Sequence, residues 1–445
     1  MEKFELSRRG LLMGGFGAAS LLALSACSPT ASTSDSGSKA DLGKVTGTIS
    51  FAFWGGSDGE TAGFKNAKAK FEAANPGATI DLKIIPYESF FSGIDRGITA
   101  GKAPDLFRVD YTTIGKYSSA GVLMDLSPYF TDSETKAFLP ALWEAIKFDG
   151  KPYGVPHQTD TTAIIYSKSA LEAAGITSIP NKLEDAWTWD EFSKVADKLR
   201  ASLPDNKYPF AYNWTAAGAF RWANLLYQAG GSLLTKDLKK SAVNSKEGLK
   251  AMNFAKSFFE KKWVPANNIV KTATYSDNLF VAGTAAMTFV GDFQIPFIND
   301  VKDGFKGGEW GTTFMIRDKK AASDLGGNAI VARKDTKNPK LAAAFLKFLA
   351  SEKAMQYFCE QAMELPTLTS LTSKNLSYVI RPDAMATFTK QAATITDAVV
   401  KESTVSAFSA INTVLQDQLE LAFQGKSSAD TLKAMEDGIN AALAA

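Results

Sequence analysis

The 445 residues carry 49 Lys plus Arg against 47 Asp plus Glu, a balance too even to attract nucleic acid or an acidic surface, so a neutral partner fits better than a polyanion. A chain this long exceeds what one core supports, and about two compact units are expected. One histidine, His157, excludes a three-histidine metal centre, and two cysteines, Cys27 and Cys359, allow at most one disulfide.

Residues 1–26 have a charged start (Lys3, Arg8, Arg9), an apolar stretch from Leu11 to Ala26 and small residues before Cys27, the layout of an export signal. The apolar stretch is short for a membrane span. Ser7-Arg8-Arg9-Gly10-Leu11-Leu12 looks like a twin-arginine signal. Leu24-Ser25-Ala26-Cys27 looks like a bacterial lipobox, in which Cys27 is lipidated and heads the mature chain. Cys359 is then left alone and reads as a core residue. Residues 27–44, which include the small polar run from Ser28 to Lys39, read as a flexible tether.

Folding is expected from about Thr48. Ile49 to Trp54 reads as a strand and Gly55 to Gly59 as a loop. Phe64, Ala67, Phe71 and Ala74 recur at helical spacing until Asn75-Pro76-Gly77, and Thr79 to Ile85 makes a second strand, so the opening unit is βαβ. Asp105 to Asp110 is a further strand. Phe148 to Tyr166 begins with an Asp149-Gly150 turn, is stiffened by Pro152 and Pro156, and ends in an apolar run suited to a buried strand, so it reads as a crossover between two units. Thr188-Trp189-Asp190-Glu191 has capping-box spacing and opens a helix through Leu199. Leu249 to Trp263 reads as an amphipathic helix, and Leu325 to Ile330 as a return crossing whose glycines permit close backbone approach. Asn338-Pro339 starts another helix, Leu365-Pro366-Thr367 reads as a third crossing, and Val405 to Ala445 supplies two helices divided at Gly425-Lys426.

Ala103 to Asp110 (APDLFRVD), Phe148 to Tyr166 and Thr188 to Phe192 (TWDEF) together resemble the extracellular solute-binding proteins of family 1, the carbohydrate-binding components of ABC importers related to maltose-binding protein. The resemblance covers nearly the whole chain after about Val45. It implies an α/β, two-lobed periplasmic-binding-protein-like fold, each lobe a mostly parallel sheet with flanking helices. Lobe 1 is expected over 45–156 plus 328–366 and lobe 2 over 157–327 plus 367–445. It further implies a sugar held between lobes that close on it, delivery to ABC permease subunits, and a monomer anchored at the extracytoplasmic face of the cell membrane through the lipid on Cys27. Phe280 to Gln294 resembles the family segment in which a buried strand brings a Gly and then an aromatic residue to the cleft. Here that aromatic is Phe293, where Trp is common in relatives.

No nucleophile with its base, metal cluster or phosphate-cradling loop has specific spacing, so no catalysis, cofactor or metal is expected; Gly55-Gly56 and Gly230-Gly231 lack the GxGxxG and GxxxxGK patterns. What remains is a set of polar and aromatic residues at strand ends and crossings. Carboxylates and amides bind adjacent hydroxyls in two-pronged fashion, and aromatic faces cover the C–H face of a sugar ring. The candidates are Trp54, Ser57, Asp58, Asp110, Gln158, Asp160, Trp214, Asp292, Phe293 and Asn328. Each has a plainer role open to it: Ser57 or Asp58 as a helix cap, Asp110 in a turn, Asp160 paired with a surface Lys, Trp214 and Phe293 in the core. His157 is either a structural part of the crossover or a hydrogen-bond partner of the ligand. Two rivals remain: the same scaffold binding a polyol, a glycerophosphodiester or a polyamine, and a secreted glycan-acting enzyme whose two carboxyl groups meet only in space.

Overall fold

The computed structural model describes residues 40–214, 216–272, 275–299 and 309–445. The export signal, Cys27 and most of the tether lie outside them. Strands follow in the order β1 (Gly47–Phe53), β2 (Ala78–Ile84), β3 (Leu106–Asp110), a small hairpin of β4 (Lys147–Phe148) and β5 (Lys151–Pro152), and β6 (Gly154–Asp160). Then come β7 (Thr162–Ser167), β8 (Tyr208–Tyr212), β9 (Ala285–Gly291), β10 (Trp310–Thr313) and β11 (Gly326–Ala332). They form two main sheets, ordered β2-β1-β3-β11-β6 and β10-β7-β9-β8.

β1 lies parallel to both β2 and β3, as a βαβ opening requires. The helix between β1 and β2, Asp58–Ala74, buries Phe64, Ala67 and Phe71, the residues whose spacing announced it. Both sheets are more mixed than the sequence suggests. β11 runs antiparallel to β3 and to β6, and in the second sheet β7 runs antiparallel to β9 and β10 while β8 and β9 are parallel. The cause is topological: β6 carries the chain out of the first sheet and β11 brings it back alongside, so outgoing and returning strands oppose each other.

Sheet membership changes between Asp160 and Thr162, four residues after the boundary expected at Pro156, because β6 keeps its ladder to β11 as far as Asp160 paired with Gly326. Leu365 stands where the two sides meet, its side chain buried in the small core that holds Ala163, Ile165 and Phe388. It exchanges backbone hydrogen bonds with Thr159 (2.8 and 3.0 Å), and Thr367 and Thr369 bond back to Leu139 and Ala137. After Val379, whose N–H bonds to the Glu360 carbonyl, helix Pro382–Ala392 buries Ala384, Met385 and Phe388 in the same small core, beneath β7, β9 and β10. The tail joins both sides. Helix Phe408–Phe423 lies against Tyr111–Ser119, where Gly115 is bare: a methyl there would stand 2.8 Å from the Ser406 Cα. Cys359 is buried, as expected. Among the described residues no helix is long and apolar enough to cross a membrane.

Candidate functional site

The two sheets leave between them a cavity of about 710 Å³, within the range of small-molecule sites. Its first wall stands on the carboxyl ends of β1 and β3 and on the crossing strands. Asp110, last in β3, accepts hydrogen bonds from the Tyr87 hydroxyl (2.9 Å) and from Asn328 Nδ2 (2.7 Å). Gln158 donates in turn to Asn328 Oδ1, and the Tyr111 hydroxyl bonds to the Gln158 carbonyl at 3.1 Å. The registry of β11 makes this chain possible, since Asn328 sits opposite Asp110 on one side and Gln158 on the other. Beside it Gly327 takes a φ of +103°, and a methyl there would collide with the backbone of Thr159.

Behind Asp110, Arg108 is 1% exposed. One nitrogen lies 2.5 Å from Glu60 and bonds to the Trp54 carbonyl at 3.2 Å, another is 3.9 Å from Glu364, and the guanidinium lies 4.4 Å from the centre of a Trp54 ring. Tyr87 and Phe90 pack edge-on against the same indole, so Trp54 shows the cavity only a small part of its surface.

The second wall comes from turns and short helices. The 3₁₀ turn Ala216–Trp222 delivers Phe220 and Arg221. Arg221 lies 3.3 Å from Asp324, which also accepts from Asn224 at 2.7 Å, and its guanidinium faces the rings of Phe220 (4.9 Å) and Phe293 (5.9 Å). Tyr275 and Asp277 join from the helix Ser276–Val281 and the residue before it. Phe293 folds back over Gly291, where a side chain would strike the ring. Enclosure dominates the acid–base behaviour: it lifts Asp110 to about 6 against the pull of Tyr87 and Arg108, lifts Asp277 to about 6, and raises Asp160, which Arg221 pulls back.

A model of the bacterial extracellular solute-binding protein family matches residues 55–356. This chain belongs to that family. Among its relatives, the solute-binding protein is 27% identical over 316 residues to the maltodextrin-binding protein of Bacillus subtilis (strain 168), covering 70% of this chain and 71% of that one. The galactooligosaccharide-binding protein of the same organism is 24% identical over 381 residues, 84% of each. In three dimensions it superposes with a TM-score of 0.77 on an ABC substrate-binding protein of Listeria monocytogenes in complex with cycloalternan, at 22% identity and over 89% of this chain and 99% of the other. That solved neighbour establishes the two-lobed architecture.

Six of the ten candidates line the cavity of this solute-binding protein: Trp54, Asp110, Gln158, Asp160, Phe293 and Asn328. Four do not. Ser57 caps the helix Asp58–Ala74, its hydroxyl accepting from the Glu60 N–H (3.2 Å) while Glu60 accepts from the Ser57 N–H (2.9 Å); Asp58 is exposed in that helix's first turn. Trp214 is fully buried, its indole N–H bonded to the Asn268 carbonyl at 2.8 Å and its rings packed on Tyr212 and Phe423. Asp292 lies beneath the cavity, where its Oδ1 accepts from the Thr161 N–H at 3.1 Å and pins the crossing. His157 is structural, stacked on Phe64 and edge-on to Phe358, with burial holding its imidazole down to about 3.

Sequence reasoning passed over Glu60, Arg108, Arg221, Tyr87, Tyr275 and Asp277. Two carried a signal. Arg108 interrupts the apolar run Leu106 to Val109, and Arg221 stands between Phe220 and Trp222; a charge in an apolar setting needs a partner, which marks a site. Nothing local marked the tyrosines or Asp277. Among the described residues no cluster of three metal-ligating side chains occurs.

Proposed function

We propose that this family member is the substrate-capturing component of an ABC importer and takes a sugar into its interlobe cleft without transforming it. The observation that carries the reading is the composition of the cavity: hydrogen-bonding side chains from both lobes, Asp110, Gln158, Asp160 and Asn328 facing Arg221, Tyr275 and Asp277, interleaved with Trp54, Tyr87, Phe220 and Phe293. Such a lining suits a guest with many hydroxyls and apolar ring faces. The oligosaccharide-binding relatives support the same class.

In this reading lobe 1 runs from the first strand to Asp160 and resumes at Gly326 as far as Val379, and lobe 2 takes the intervening segment and most of the tail. A guest touching both walls favours the closed form by its differential affinity, and the closed form delivers it to the permease. Cys27 carries the lipid that holds the monomer at the extracytoplasmic face of the membrane; replacing it with Ala should release the protein into the medium or periplasm. The direct test is thermal denaturation against a panel of mono- and oligosaccharides. A ligand at a hundred times its Kd adds about 2.7 kcal/mol of stability, so a sugar should shift the melting point by several degrees. A panel without any shift overturns the proposal, as does turnover of the sugar that binds.

A further inference from the structure

The charges around the cleft do not balance. Arg108 is engaged by Glu60 at 2.5 Å and Glu364 at 3.9 Å, and Arg221 by Asp324 at 3.3 Å. Asp110, Asp160 and Asp277 line the same cavity, and none of them has a cationic side chain within 4.0 Å among the described residues. Asp160 is 6% exposed, its Oδ1 without a hydrogen-bond partner and set against Gly326, where any side chain would strike it. Asp277 is 4% exposed and also has one oxygen unpartnered. Asp110 is satisfied only by the neutral donors Tyr87 and Asn328.

Carboxylates enclosed together repel one another and lose hydration, and neutral hydroxyls can donate hydrogen bonds to them without supplying a counter-charge. The faces of Tyr87, Tyr275, Phe220 and Phe293 line the same space, and an aromatic face attracts a cation. We infer that the preferred guest is an amino sugar with a free, protonated amine, its ammonium received by the carboxylates that line the cavity, Asp277 and Asp160, and its ring covered by the aromatic walls. The inference rests on the sugar-binding reading above and narrows it. Burial raises the pKa of Asp277, and that of Asp110 against the pull of Tyr87, Arg108 and Arg221.

The test uses sugars matched in stereochemistry and differing in one group: glucosamine, glucose and N-acetylglucosamine, the galactose and mannose counterparts, and the β-1,4 glucosamine disaccharide beside cellobiose and diacetylchitobiose. Binding of each to the purified chain is measured by calorimetry at pH 6. In at least one series the free amine should bind tenfold or more tightly than its hydroxyl partner, with N-acetylation abolishing the gain. Asp277→Asn should remove that advantage yet leave the ligand-free melting point within a few degrees, and Asp160→Asn serves if Asp277→Asn fails to fold. If the hydroxyl sugar binds as tightly as the amine, or the advantage survives in both variants, the inference falls and the sugar-binding reading stands. If no sugar binds, or only spermidine does, both fall.

Discussion

Arg108 and Arg221 are the two guanidinium groups of the cleft, one on each wall, and they are held in contrasting ways. Arg108 rises from the middle of a strand and is gripped by two carboxylates, a backbone carbonyl and an indole face. Arg221 comes from a short turn, meets one carboxylate and faces two rings. The first wall is thus a lattice whose members fix each other, from Glu60 through Arg108 to Trp54 and from Tyr87 through Asp110 and Asn328 to Gln158. The second is assembled from side chains brought in pairs, Phe220 with Arg221 from one turn and Tyr275 with Asp277 from the start of one short helix. A scaffold of this kind divides the work: strand ends provide a preformed bed, and turns provide the contacts that vary with the guest.

Removing Arg108 breaks the comparison most severely. Arg108→Met leaves Glu60 and Glu364 buried without their cation and should cost about 3–5 kcal/mol, the usual result of orphaning a buried charge. Arg221→Met should cost less stability in urea denaturation but weaken ligand binding at least tenfold. Equal stability losses would mean that the two walls are built alike.

Trp214 and Phe293 sharpen the same contrast within the second lobe. Trp214→Ala opens a cavity among Tyr212, Phe258 and Phe423, for an expected loss of about 3–5 kcal/mol, with the affinity of the surviving folded protein unchanged. Phe293→Ala should reverse this pattern, lowering affinity about tenfold while leaving the melting point nearly intact. The two aromatics look equivalent in sequence because each follows a strand that ends in the cleft. What separates them is which way the chain turns after the strand: Gly291 lets the Phe293 ring fold back over it, and Trp214 continues into the core.

That distinction marks how far sequence reasoning reaches. Strands, caps and the βαβ opening were legible because they depend on neighbours within a turn or two, and the cleft candidates Asp110, at a strand end, and Gln158 and Asn328, at the crossings, followed from topology. Ser57 was readable both as a cap and as a ligand contact, and only the Glu60 side chain reaching back to its N–H decides for the cap. The place of Leu365 depended on its pairing with Thr159, about two hundred residues away, and no local pattern encodes such a partner. Tyr87, Tyr275 and Asp277 meet only when both lobes are folded.

Protonation tests the enclosure of both walls at once. Burial raises Asp110 and Asp277 from 3.8 to about 6 and Glu402 from 4.5 to about 7. Each folded carboxyl therefore holds its proton more tightly than the unfolded one, and its contribution to stability is lost as pH rises through the folded value. His157 runs the other way. Its value falls from 6.5 to about 3, so the unfolded chain takes up the proton first and stability drops as pH falls below 6.5. The melting point should rise as pH falls from 8 to 6.5, by about 1 kcal/mol in stability terms, and keep rising toward pH 5, because there the three carboxyls outweigh the single imidazole. His157→Phe should steepen the rise below pH 6.5; a wild-type profile that declines steadily from pH 8 would refute the account.

The smallest effect belongs to the edge of the first wall. Ser57→Ala removes the hydroxyl that accepts from the Glu60 N–H and should cost about 1 kcal/mol, the ordinary worth of such a cap. Asp58, exposed in the same first turn, should cost at most a few tenths when changed to Asn, since only its interaction with the helix dipole is altered. Neither change should move ligand affinity by as much as twofold, because Glu60 keeps its bond to Arg108 and so keeps Trp54 in place. A large affinity loss from Ser57→Ala at unchanged stability would instead put the hydroxyl in contact with the guest and return Ser57 to the binding surface.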